Sequence, residues 1–117
     1  YNTTKDADLR FLEKVSSIVH RQLNNNKEAD VSIVAAHMCM SPRQFYRKIN
    51  TITSYTPSAY ILRLKIKRAT TLLGNNPQIS LGEVADKCGF SEYPNFVRAF
   101  KSVYGVTPTS YRKEHCT

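Results

Sequence analysis

Residues 31–117 carry one pattern twice, and this internal repeat limits what the chain can fold into more than any other feature. Val34, Ala35, Met38, Met40 and Ser41 return fifty positions later as Val84, Ala85, Cys88, Phe90 and Ser91. Phe45, Arg47, Ile49, Thr56, Pro57 and Tyr60 return fifty-one positions later as Phe96, Arg98, Phe100, Thr107, Pro108 and Tyr111. Each copy pairs a short apolar helix with a second helix whose outward positions are polar or basic. A helix-turn-helix holds its reading helix against a DNA groove in this way. The repeat predicts an all-α chain of about seven helices, with two helix-turn-helix lobes joined by a long linker helix.

Local signals place the elements. Phe11, Leu12, Val15, Ile18, Val19 and Leu23 recur at spacings of three and four, which predicts an apolar stripe on a helix over about residues 6–23. Asp6 and Asp8 suit its positive end, and the Asn24, Asn25 and Asn26 run ends it. Asp30 caps a short helix to about residue 38. Ser41, Pro42 and Gln44 form a capping box with proline at the first helical position, opening a helix to about residue 50. Thr56 and Pro57 begin the linker helix, which runs to about residue 75. At 1.5 Å per residue it spans roughly 28 Å. One turn of B-DNA is roughly 34 Å, so such a helix can set two reading helices into successive major grooves. In the second copy, Ser80 caps a helix to about residue 88, Gly89 supplies the turn, and Ser91 opens a helix to about residue 104. Gly105 stops that helix, and Thr107 and Pro108 begin a last short one through Tyr111 and Arg112. The organisation expected is residues 1–30 as packing helix and connector, 31–55 as first helix-turn-helix, 56–76 as linker, and 77–117 as second helix-turn-helix with a C-terminal helix.

Charge follows the same division. Residues 1–30 are balanced, with five basic and five acidic side chains, whereas residues 31–117 hold twelve basic and four acidic and account for the whole net charge of +8. No Asp or Glu occurs between Asp30 and Glu83, a window that holds Arg43, Arg47, Lys48, Arg63, Lys65, Lys67 and Arg68. A polyanion is the natural partner of such a surface, because displaced counterions supply much of the binding free energy. The alternative is a solvated basic face kept for solubility.

Cys39, Cys88 and Cys116 have no close paired spacing, which favours a reducing, cytoplasmic setting. No run of about 18 apolar residues and no signal-like leader is present, so membrane contact by this segment is not expected. The first residue is Tyr1, not Met, and a piece of a longer protein is expected. Catalysis is not expected and no cofactor is implied. There is no Gly-rich phosphate loop, metal-spaced His/Cys set or paired carboxylate cleft, and His20, His37 and His115 fall on different elements.

The segments VAAHMCMSPRQFYRKI (34–49), TPSAYILRLKIKRATTLL (56–73) and EVADKCGFSEYPNFVRAFKSVYGVTPTSYR (83–112) resemble the DNA-binding domain of AraC/XylS-type transcription regulators. The second half carries the more specific signal: Gly89, Phe90, Ser91, Phe96, Arg98, Phe100, Lys101, Gly105, Thr107, Pro108, Tyr111 and Arg112 stand in register. The leading helix, with Asp8, Phe11, Leu12 and Lys14, further resembles the C-terminal output domains of hybrid two-component regulators. That resemblance implies double-stranded promoter DNA as partner, RNA polymerase as a further partner that the regulator recruits, and sensor, kinase or receiver domains upstream in the same chain. Two positions depart from the family pattern. Ser54 and Cys39 stand where glycine is usual, and if the backbone there has positive φ, each costs on the order of 1 kcal/mol. Pro94 near the start of the second reading helix is tolerable because first-turn N–H groups lack intrahelical partners.

Arg43, Tyr46 and Arg47 lie on one face of the first reading helix, opposite Phe45 and Ile49, and are assigned to base edges. Arg can bind guanine O6 and N7 together. Tyr93, Asn95 and Arg98 take the corresponding role in the second, with Asn95 suited to adenine and Pro94 or Val97 to a thymine methyl. Ser41, Lys48, Arg63, Lys67, Ser91 and Lys101 are assigned to phosphates, which hold register without reading sequence. For each, the plain alternative is a solvated polar residue. Phe90, Phe96, Phe100, Tyr104 and Tyr111 are expected in the core. Two rivals to sequence-specific reading are a non-specific nucleic-acid or polymerase-contacting module, and a DNA-repair methyltransferase using Cys39 or Cys88. Both cysteines fall in core or turn positions without a basic activating neighbourhood.

Overall fold

Side-chain caps and left-handed turns set most helix boundaries. The computed structural model describes residues 3–115, which form helices α1 (Thr3–Asn24), α2 (Val31–His37), α3 (Pro42–Thr53), α4 (Pro57–Asn75), α5 (Leu81–Lys87), α6 (Tyr93–Tyr104) and α7 (Pro108–His115). No strand occurs among the described residues. The all-α expectation of about seven helices holds. The chain divides into two compact units, Tyr1–Ile61 and Leu62–Thr117, with the division inside α4.

In the first unit, α1 buries Phe11, Val15, Ile18, Val19 and Leu23 of the stripe read from their spacing, and leaves Leu12 half-buried. It ends as its asparagines dictate. The Asn25 side-chain amide donates to the Arg21 carbonyl at 2.9 Å, and Asn26 takes φ 56. Val34 and Ala35 of α2, Phe45 and Ile49 of α3, and Ala29 and Ile61 are buried as well, with the Phe11 and Phe45 rings 6.3 Å apart. Helix α3 runs three residues beyond the expected end at Asn50. The Thr53 hydroxyl donates to the Ile49 carbonyl at 2.8 Å, and the helix stops only where Ser54 turns left-handed at φ 66.

The second unit is built around Ile66, Ala69 and Leu73 of α4, Val84 and Ala85 of α5, and Phe96 and Phe100 of α6. Both phenylalanines are fully buried, each contributing about 1.5–3 kcal/mol of burial free energy. Phe90 and Tyr111 are half-buried and pack against this core. Tyr104 corrects the sequence expectation: it is 39% exposed. As the last residue of α6 it has one covered side, where its ring meets Phe100 at 5.1 Å and Tyr111 at 5.7 Å. Helix α7 continues past Arg112 to His115, whose ring lies 4.5 Å from that of Tyr111 one turn earlier. Two arginines tie elements together within this unit. Arg68 donates to the Lys87 carbonyl at the end of α5 at 2.9 Å, and Arg112 donates to the carbonyl of Ile79.

Candidate nucleic-acid interface

The two turn-and-helix units are closed by the same hydrogen bonds. After α2, Cys39 is left-handed at φ 59, its N–H meets the Ala36 carbonyl at 3.0 Å, and the Met40 N–H reaches back to Ala35 at 3.0 Å. After α5, Gly89 takes φ 85, its N–H meets Asp86 at 3.0 Å, and the Phe90 N–H reaches back to Ala85 at 3.0 Å. This paired closure is the Schellman geometry. Side-chain caps repeat as well. Asp30 Oδ1 accepts from the Ile33 N–H at 3.0 Å, and Ser80 Oγ from the Glu83 N–H at 3.1 Å. Thr56 and Thr107 each accept the N–H three residues on at 3.2 Å, capping α4 and α7.

The reading helices differ at their starts. Ser41 caps α3: its Oγ accepts from the Gln44 N–H at 3.2 Å while Gln44 Oε1 accepts from the Ser41 N–H at 3.0 Å. The expected capping box is present. Helix α6 does not open at Ser91 as expected. Its N-cap is Glu92, which makes no side-chain cap bond, and Pro94 fills the first turn. The second turn therefore holds one residue more than the first, which is why the repeat offset changes from fifty to fifty-one. By position Glu92 and not Ser91 corresponds to Ser41. Both Ser41 and Ser91 are exposed.

On α3, Arg43, Tyr46, Arg47 and Lys48 are exposed around the buried Phe45 and Ile49, and Arg43, Tyr46 and Arg47 share one face. The Lys48 ammonium lies 4.7 Å from the centroid of the Phe11 ring, a cation–π contact that links α3 to α1. On α6, Tyr93, Asn95, Arg98 and Lys101 are exposed. Tyr93 leans on Phe96, with ring centroids 6.0 Å apart. The Arg98 guanidinium donates to Oδ1 of Asn95. On α4, Lys67 is exposed and Arg63 half-buried. Two exposed residues went unremarked as site residues in the sequence, Gln44 and Glu92. The fifty-one offset pairs Gln44 with Asn95, but its capping role masked that equivalence.

Electrostatics and thiol chemistry complete the site. The Lys87 ammonium meets Glu83 at 3.6 Å on the exposed side of α5, a pair worth well under about 1 kcal/mol. Burial pushes the Cys88 thiol up to about 12, against the lowering pull of Arg68 and Lys65, so it holds its proton. A thiol so protonated is a poor nucleophile. Among the described residues no group of three His, Cys, Asp or Glu side chains is arranged to hold a metal, and no helix is long and apolar enough to cross a membrane.

A family model described as a helix-turn-helix domain matches residues 34–114. The chain belongs to the AraC-type helix-turn-helix family. Several of its matched relatives are named as regulatory proteins or transcriptional regulators. This AraC-type domain is 31% identical over 104 residues to the Msm operon regulatory protein of Streptococcus mutans, covering 89% of this chain and 36% of that protein. It is 26% identical over 113 residues to histidine kinase P4 of Formosa agariphila, covering 97% of this chain and 8% of that protein. The chain thus spans about a third or less of the length of these relatives. Among solved structures, a Chromobacterium violaceum transcriptional regulator described as AraC-type superposes at TM-score 0.80, with 23% identity, over 99% of this chain and 98% of that one. The DNA-binding domain of AdpA, a global transcriptional factor solved in complex with a target DNA, superposes at TM-score 0.72. It is 27% identical and covers 86% of this chain and 91% of that one.

Proposed function

We propose that this AraC-type domain binds double-stranded promoter DNA sequence-specifically, with α3 and α6 entering successive major grooves. One observation carries this: two units with the same turn closure each present exposed, hydrogen-bonding side chains on the helix whose opposite face is anchored by a fully buried phenylalanine, Phe45 or Phe96. Arg43, Tyr46 and Arg47 from α3, and Tyr93, Asn95 and Arg98 from α6, contact base edges. Ser41, Lys48, Arg63, Lys67, Ser91 and Lys101 contact phosphates. Lys48 then holds its ammonium between the Phe11 ring and a phosphate, so α1 steadies a DNA-contacting side chain.

The whole protein is a bacterial transcription regulator acting in the cytoplasm, in which this domain also contacts RNA polymerase. Upstream sensor and receiver domains in the same chain fit the likeness to a histidine kinase over 97% of the present residues.

Selection of bound duplexes from a random-sequence pool at near-physiological salt, repeated with Arg47→Ala and Arg98→Ala, tests the proposal. Two short enriched elements about one helical turn apart, each blurred by one variant, are expected. Salt-sensitive binding with no enrichment would mean that the domain grips only phosphates and is a non-specific module.

A further inference from the structure

On the assignment of α6 as a base-reading helix, the hydrogen bond between Arg98 and Asn95 joins two of its reading side chains. Arginine carries donors only, so its contact with the Asn95 amide fixes that amide by chemistry: Oδ1 faces Arg98 and Nδ2 faces away. Both side chains are exposed, three residues apart on one face of the helix. An asparagine reads adenine by accepting from N6–H while donating to N7, and that needs its oxygen. Oδ1 has a second lone pair, so the bond to Arg98 leaves Asn95 both an acceptor and its Nδ2 donors for a base.

The first reading helix shows the same arrangement by another route. Gln44, which occupies the place of Asn95 in the repeat, has its Oε1 taken by the Ser41 N–H at 3.0 Å. Its Nε2 is turned away from that bond. In both copies, then, the amide at the third helical position has its oxygen engaged inside the protein.

We infer that Asn95 and Arg98 act as one hydrogen-bonded unit, in which Asn95 orients the Arg98 guanidinium so that it takes O6 and N7 of a guanine. The charged bond between the two also holds the guanidinium in one orientation before DNA arrives, which lowers the side-chain ordering cost of binding. Asn95 is therefore a positioning residue for Arg98.

The test is selection from a random duplex pool, followed by competitive titration on single-base variants, with the parent chain and with Asn95→Ala, Asn95→Asp and Arg98→Ala. The parent is expected to prefer guanine at the Arg98 base by roughly 5-fold or more. Asn95→Ala is expected to weaken that preference. Asn95→Asp keeps an acceptor for Arg98 and is expected to retain it. A guanine preference at the Arg98 base that is unchanged in Asn95→Ala would overturn the coupling while leaving α6 a reading helix. If neither Asn95→Ala nor Arg98→Ala alters the selected site and Arg47→Ala does, the assignment of α6 to base reading fails as well.

Discussion

Ser54 and Gly105 end the two reading helices in the same left-handed backbone, at φ 66 and φ 77. Each N–H returns to the carbonyl four residues back, Asn50 at 2.9 Å and Lys101 at 2.8 Å. The same pairing of a non-glycine with a glycine holds at the turns, where Cys39 and Gly89 take φ 59 and φ 85. The first copy thus carries a side chain at both of its left-handed positions. Since a Cβ there crowds the following carbonyl oxygen, the first copy gives up roughly 1–2 kcal/mol at each.

Ser54→Gly is expected to raise the unfolding free energy by roughly 0.5–1 kcal/mol, after the extra entropy glycine confers on the unfolded chain. Gly105→Ala is expected to lower it by about 1 kcal/mol, from backbone strain alone, because a Cβ there meets nothing within 4 Å. Equilibrium urea unfolding reads both. A Ser54→Gly variant less stable than the parent would show that the serine side chain makes a compensating interaction.

The two helix starts should respond differently to loss of their cap side chain. Ser41→Ala removes the oxygen that accepts the Gln44 N–H and should cost about 1 kcal/mol. Glu92→Ala removes no cap bond and should change stability by at most about 0.5 kcal/mol. Equal losses in thermal or urea unfolding would contradict the difference between the two starts.

Cys88 predicts a loss of stability in alkali. Its folded thiol titrates at about 12, above the ordinary value of 9.0, so the unfolded chain releases the proton first as pH rises. The unfolded state then binds fewer protons than the folded one, and stability falls with increasing pH. The contribution is fully present below about pH 9 and lost between there and about pH 12. Cys88→Ala should flatten the profile in this window when urea midpoints are compared from pH 8 upward. At pH 8 iodoacetamide should spare Cys88 in the folded chain and modify it in urea, as peptide mass mapping would show.

Lys101 and Arg98 separate grip from reading. Lys101→Ala should weaken cognate and random duplexes alike and lower the slope of log affinity against log salt by about one. Arg98→Ala should cost about 1–3 kcal/mol on the cognate duplex and little on random sequence. Equal loss on both duplexes for Arg98→Ala would remove it from the base-reading set.

Much of this fold was legible because it is made by interactions between residues three to five positions apart. The caps at Asp30, Ser41, Thr56, Ser80 and Thr107 and the left-handed turns at Gly89 and Gly105 are local backbone chemistry, and the repeat states most of them twice. The stripe from Phe11 to Leu23 and the inward Phe45, Ile49, Phe96 and Phe100 follow from helical periodicity alone. Where local signals compete, periodicity is silent. Ser91 and Glu92 are adjacent potential caps, and which one starts α6 depends on how the turn after Gly89 is accommodated by packing of Phe90 against Phe96, whose rings lie 5.6 Å apart.

The sequence by itself determined the helix inventory, the buried face of each reading helix and the family, since backbone hydrogen bonding and amphipathic period are encoded in neighbouring residues. Tertiary structure alone decided that Lys48 lies over Phe11 and that Arg112 reaches Ile79, because residues distant in sequence meet only once the helices pack. It also decided that Tyr104 keeps one side in solvent, since burial at a helix end depends on what the neighbouring helix covers. The bond between Arg98 and Asn95 lies between these cases: their spacing permits it, but only the side-chain conformations on the folded helix bring the guanidinium to the amide oxygen.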